Sequence, residues 1–89
     1  MLCFFNLAGA IYDPDKEGME MPSLAAARVE AARYAGEFIR DHPKLVWTGE
    51  EVRVEVTDST QMILFTIIVL GIDSPATMQR SWQKDDSAK

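Results

Sequence analysis

The chain has 89 residues, of which 47% are hydrophobic and 26% charged, with a net charge of −5 and one cysteine. This is the length of one domain with a small core, the size range in which oligomerisation often adds stability. The acidic balance disfavours nucleic-acid binding, which needs a clustered basic face, and a lone cysteine excludes an internal disulfide.

The first ten residues are apolar and end Ala8-Gly9-Ala10, which imitates a signal-peptidase site. No Lys or Arg precedes them and the apolar part is short, so they read as structure rather than as a leader. Leu2–Leu7 (LCFFNL) reads as a first strand, Ala8-Gly9 as a tight turn, and Ala10–Tyr12 as a short returning strand stopped by Asp13-Pro14. Cys3 has no base or cation beside it in sequence and reads as a small buried hydrophobe. Asp15–Met21 reads as a polar turn around Gly18.

Asp13-Pro14-Asp15-Lys16-Glu17-Gly18 imitates the first half of a calcium loop, with carboxylates at positions one, three and five and then Gly. Such a loop needs a bidentate Glu at position twelve; here position twelve is Leu24 and position nine is Met21. The segment is therefore read as a turn that sets acids near a helix start, where they are favoured.

Ser23–Asp41 (SLAAARVEAARYAGEFIRD) is the predicted helix. Ser23 is a good N-cap after Pro22, and His42-Pro43 ends it because Pro43 has no N–H and pushes His42 out of the α region. Leu24, Ala27, Ala31, Tyr34, Ala35 and Phe38 recur at steps of three and four, giving a face that is alanine in the middle and bulky at its ends. Arg28, Glu30, Arg33, Glu37 and Arg40 lie on other faces, with Glu30/Arg33 and Arg33/Glu37 spaced for weak pairs of about 0.2–0.5 kcal/mol each. His42, the only histidine, reads as a helix-end residue bonding the last carbonyls rather than a general base, which would need an orienting acid and a nucleophile in reach.

Pro43–Gly49 is a connection whose Leu45, Val46 and Trp47 are suited to plug the open edge of a small core. Glu51–Thr57 (EVRVEVT) alternates, with Val52, Val54 and Val56 on one side, and reads as a half-buried strand. Asp58–Gln61 is a turn. Met62–Leu70 is a fourth strand, apolar on both faces; the whole apolar run to Ile72 is about half the ~20 residues that span a bilayer. The expected location is the cytoplasm, with no membrane contact.

With an even turn, Val56 lies opposite Ile63 and Val54 opposite Phe65. Ile63, Phe65, Ile67 and Val69 then face the helix, and Met62, Leu64, Ile68 and Leu70 face outward around Thr66. An odd turn exchanges the two sets. Either way one apolar row is left on the uncovered face, a patch of about a few hundred Å². Met62, Leu64, Ile68 and Leu70 are the candidate self-association face. After Gly71 the composition turns polar; residues 74–89 are expected to be a disordered tail, with Trp82 either a docking anchor or without a role.

Phe4-Phe5-Asn6-Leu7, the run from Asp15 to Arg28 (DKEGMEMPSLAAAR) and the valine strand ending Val56-Thr57-Asp58 together resemble a family of small bacterial proteins catalogued as a domain of unknown function. Its pattern is an F-F-x-L opening, a D-x-E-G-x-E-x-P-x-L-x-x-A-R segment and a closing β-hairpin. The resemblance covers about residues 2–70. It departs at the hairpin turn, where similar sequences often carry Gly and this one has Ser59-Thr60. It implies a ββαββ domain and supplies no activity.

The expected fold is α+β, in the order ββαββ: a four-stranded, mainly antiparallel sheet with one helix across one face, spanning residues 1–73. The sequence shows no catalytic, cofactor-binding or metal-ligating set. It reads as a non-enzymatic interaction module without a cofactor that forms a homodimer through its sheet, with any further protein partner unidentified. The alternative is a small regulator or antitoxin-like protein acting on nucleic acid or on a toxin-like partner, which rests on fold-level analogy alone.

Overall fold

The computed structural model describes residues 1–78. The chain runs β1 (Leu2–Gly9), β2 (Met19–Glu20), α1 (Leu24–Asp41), a 3₁₀ turn (Pro43–Trp47), β3 (Val52–Thr57), β4 (Ile63–Val69) and a single helical turn, α2 (Pro75–Met78). The strands form one antiparallel sheet in the order β2-β1-β3-β4, with α1 across one face. The fold is the expected α+β arrangement. Trp82 and residues 79–89 of the expected tail lie outside the described residues.

α1 begins and ends where its chemistry dictates. The Ser23 hydroxyl accepts from the Ala26 N–H at 3.0 Å. At the other end His42 leaves the helix, its N–H donating to Phe38 O and its ring stacking on Phe38 with centroids 4.5 Å apart. Ala27, Ala31 and Ala35 are buried, and Tyr34 and Phe38 pack at the rim. Arg33 pairs with both Glu30 and Glu37 on the solvent side.

The helix rests on Cys3, Phe5 and Leu7 of β1 and Val52, Val54 and Val56 of β3. Alanine in the helix lets the backbone approach the sheet, and branched valine fills the space from the other side. Leu45 of the 3₁₀ turn packs against this core, as expected of a plug. Trp47 does not. It is 62% exposed and lies flat on Gly71, where even a Cβ would come within 2.6 Å of the indole.

The second strand is not Ala10–Tyr12. After β1 the Ala10 N–H bonds Glu51 O, and the chain meets β1 again only at Asp13, which exchanges both backbone hydrogen bonds with Leu7. Two residues on, the Asp15 N–H turns to the Asn6 side chain instead of a β1 carbonyl, so the ladder breaks. It re-forms at Met19 and Glu20, opposite Cys3 and Leu2, inside the stretch expected to be only a turn.

The hairpin register also differs from expectation. Val56 lies opposite Phe65 and Val54 opposite Ile67, while Thr57 lies opposite Ile63, which leaves Leu64 as an extra residue in a bulge. The turn from Asp58 to Met62 has three central residues, an odd number, and closes through the Asp58 N–H to Met62 O with Gln61 in the left-handed region (φ 71°). The bulge adds the residue that restores the phase. Phe65, Ile67 and Val69 therefore pack toward the helix, Leu64 joins them, and Ile63 turns outward.

The tightness of the alanine face gives a direct expectation. Ala31→Leu should lower unfolding free energy by about 1–3 kcal/mol through overpacking. Ala32→Leu, on the exposed side, should change it little. Urea unfolding of the two variants checks this.

Candidate functional site

Two features stand outside the core: the β1–β2 return and the uncovered side of the sheet. Asp15 organises the first. Its Oδ2 accepts from the Phe5 N–H at 3.1 Å, and its Oδ1 accepts from the N–H groups of Glu17 and Gly18. The Asp15 N–H in turn donates to Asn6 Oδ1 at 2.9 Å. A side chain thus takes the place of a strand carbonyl where the ladder is broken. Gly18 is needed beside it: its φ is +78°, and a Cβ there would sit 2.9 Å from the Phe4 ring and 3.2 Å from Cys3 O.

Partial burial alone would raise the Asp15 carboxyl, but the three backbone donors outweigh it and hold it below the ordinary carboxylate value. A carboxylate used in this way has little left for a metal. Among the described residues, no three His, Cys, Asp or Glu side chains are grouped to share an ion. Asp13, Glu17, Glu30 and Tyr34 line a shallow cleft of about 620 Å³ beside the return. Burial, and then the Asp13 and Asp15 charges, push the Tyr34 phenol upward.

The uncovered side is different in character. Met62, Ile68 and Leu70 are 65%, 60% and 44% exposed. Leu64, expected beside them, is half-buried against the core because of the bulge. Ile63, expected inside, takes its place at 54% exposure. Trp47 and Ile72 add apolar surface at the far end of β4. Next to this row a groove of about 600 Å³ runs over Phe4, Asn6 and Thr57 between Tyr12 and the hairpin turn.

The Asn6, Glu55 and Asp58 side chains along that groove are already engaged. The Asn6 amide donates to Phe4 O, Glu55 O and Thr57 Oγ1. Arg53 holds Glu51 and Glu55 at 2.9 Å each. Asp58 caps its own turn, accepting from the Thr60 N–H and hydroxyl and the Met62 N–H; the Thr60 hydroxyl leads in holding its carboxyl below the ordinary value. His42 is at the end of α1, its Nδ1 3.2 Å from Phe38 O, and Cys3 is fully buried. The candidate groups are not brought together into a reacting set. Asn6 was not singled out in the sequence; its signal is a polar residue in the outward phase of an otherwise apolar strand.

A family described as a domain of unknown function, DUF6894, matches residues 2–70. This chain belongs to the DUF6894 family. The match takes in all four strands, α1 and the 3₁₀ turn, so the DUF6894 unit is the whole sheet and its helix. No curated protein and no solved structure matches the chain. No helix among the described residues is long and apolar enough to cross a membrane. Within the DUF6894 unit, the Asp15–Gly18 stretch has a structural account: it bridges a break in the sheet.

Asp15→Ala should cost about 1–3 kcal/mol, since it leaves backbone donors without their acceptor. A carboxyl that is low in the folded state contributes stability above its unfolded value and loses it as pH falls through the folded value. Acidification below the ordinary value of 3.8 should therefore weaken the wild type more steeply than Asp15→Asn, as read by urea unfolding at several pH values. Millimolar calcium should leave the melting temperature unchanged; a saturable rise would assign the half-loop a metal.

Proposed function

We propose that this DUF6894 chain is a non-enzymatic interaction module that associates with a second copy of itself through β4. The observation that carries the reading is the character of that strand. β4 is an edge of the sheet, and from Met62 to Ile72 the sequence has no charged residue and no proline. Edge strands are usually protected by charges, prolines or a covering element.

The side chains point the same way. Met62, Ile63, Ile68 and Leu70 form an exposed apolar row beside that edge. Burying part of that row, at ~25 cal/mol per Å², adds to the backbone hydrogen bonds of the edge before association costs. The absence of catalysis is part of the proposal, supported by the prior engagement of Asp15, Asn6, Asp58 and His42. A cytoplasmic location belongs to it as well. The regulator alternative gains little from the basic groups of the described residues: Arg33, Arg40 and Arg53 each pair with acids, and Lys16, Arg28 and Lys44 lie on three separate segments.

Light scattering across micromolar concentrations should show a monomer–dimer equilibrium. Ile68→Lys should weaken it at least about tenfold, which is about 1.4 kcal/mol, while Val29→Lys on the exposed helix face should not. A wild-type monomer at every concentration would overturn the proposal.

A further inference from the structure

We infer that two copies join edge to edge, β4 antiparallel to β4 about a two-fold axis through Ile67, to make one eight-stranded sheet. This rests on the self-association proposed above and adds its geometry.

The first step is which backbone groups face the free edge. Glu51 O accepts from the Ala10 N–H, so Glu51 points toward β1. In an antiparallel ladder the direction alternates. Arg53 and Glu55 therefore bond toward β1, and Val52, Val54 and Val56 toward β4. Their partners are Val69, Ile67 and Phe65, which leaves the N–H and C=O groups of Thr66 and Ile68 directed outward. Among the described residues, nothing pairs with them: β4 has β3 on one side only.

The second step is why the occupant is another copy. An uncharged strand can face its own antiparallel image without opposing like charges. The other edge of the sheet is a poor acceptor. β2 is two residues long, and its Glu20 carboxylate holds the terminal amine of Met1 at 2.7 Å. Head-to-tail addition of β4 to β2, which would run on without closing, has only this two-residue strand to pair with. Pairing of β4 with β4 closes after two copies.

The third step is the register. Side chains directly opposite in a ladder share a face, so only registers pairing odd with odd and even with even residues keep both helices on one side. The bulge at Leu64 sets one limit of the regular run, and Val69 ends the strand. Phe65–Val69 matches itself antiparallel only when centred on Ile67. Thr66 then exchanges both hydrogen bonds with Ile68 of the other copy. Ile67 meets its own image in a non-hydrogen-bonded pair, with Cα atoms about 4.5 Å apart.

Cysteine cross-linking reads this directly. A Cα separation of about 4.5 Å is within disulfide range, whereas Thr66 or Ile68 would lie about 8 Å from its own image, beyond it. Ile67→Cys, Thr66→Cys and Ile68→Cys are oxidised mildly and run on a denaturing gel without reductant, with the wild type as control for the buried Cys3. Each variant is also sized by light scattering before oxidation. The expected result is three dimers in solution, of which Ile67→Cys alone becomes covalent. Cross-linking at Thr66 or Ile68 instead, or a wild-type dimer that none of the variants traps, overturns the edge register while leaving self-association standing. A wild-type monomer throughout overturns both.

Discussion

Contact between the alanine face of α1 and the valine face of β3 is the constraint on which the molecule depends. Ala27, Ala31 and Ala35 admit the sheet closely, and Val52, Val54 and Val56 supply the bulk the helix lacks. With one main helix, this contact commits one face of the sheet and leaves the other to find its own solution. Over β1 and β3 that solution is polar: Asn6, Arg53, Glu55 and Thr57 bind one another into a neutralised surface. Over β4 it is absent, and the row stays apolar.

Asp15 shows how a small sheet continues across a defect. Backbone pairing lapses at Asp15, yet the Phe5 N–H, which lies between two paired positions, still finds an acceptor. The same carboxylate fastens the turn that brings Met19 back to Cys3. From there Met21 is drawn into the core, its N–H bonded to Met1 O, and α1 starts three residues later.

The legible parts of the fold were those with period and punctuation. Ser23, Pro43 and the alanine spacing define α1, and the alternation of Val52, Val54 and Val56 defines β3; both are written in the order of the residues. β2 was not legible, because a two-residue strand of Met and Glu has neither period nor propensity, and its pairing depends on Asp15 acting through space. The candidate face was legible in part. Met62, Ile68 and Leu70 are exposed where parity placed them, but Leu64 and Ile63 exchange roles at the bulge. A bulge is a decision between neighbouring strands and leaves little trace in either one. Trp47 was misplaced for a related reason: its position is fixed by Gly71, which is distant in sequence.

The paired irregularities of the hairpin have an evolutionary meaning. An odd turn and an extra residue at Leu64 cancel, so the inward set is kept although neither half alone would keep it. A lineage that lost one residue from Ser59–Gln61 could straighten the strand at the same step and leave the core untouched. Such a pair gives the segment freedom to change length without passing through an inverted strand. The turn can thus drift while Phe65, Ile67 and Val69 stay where the helix needs them.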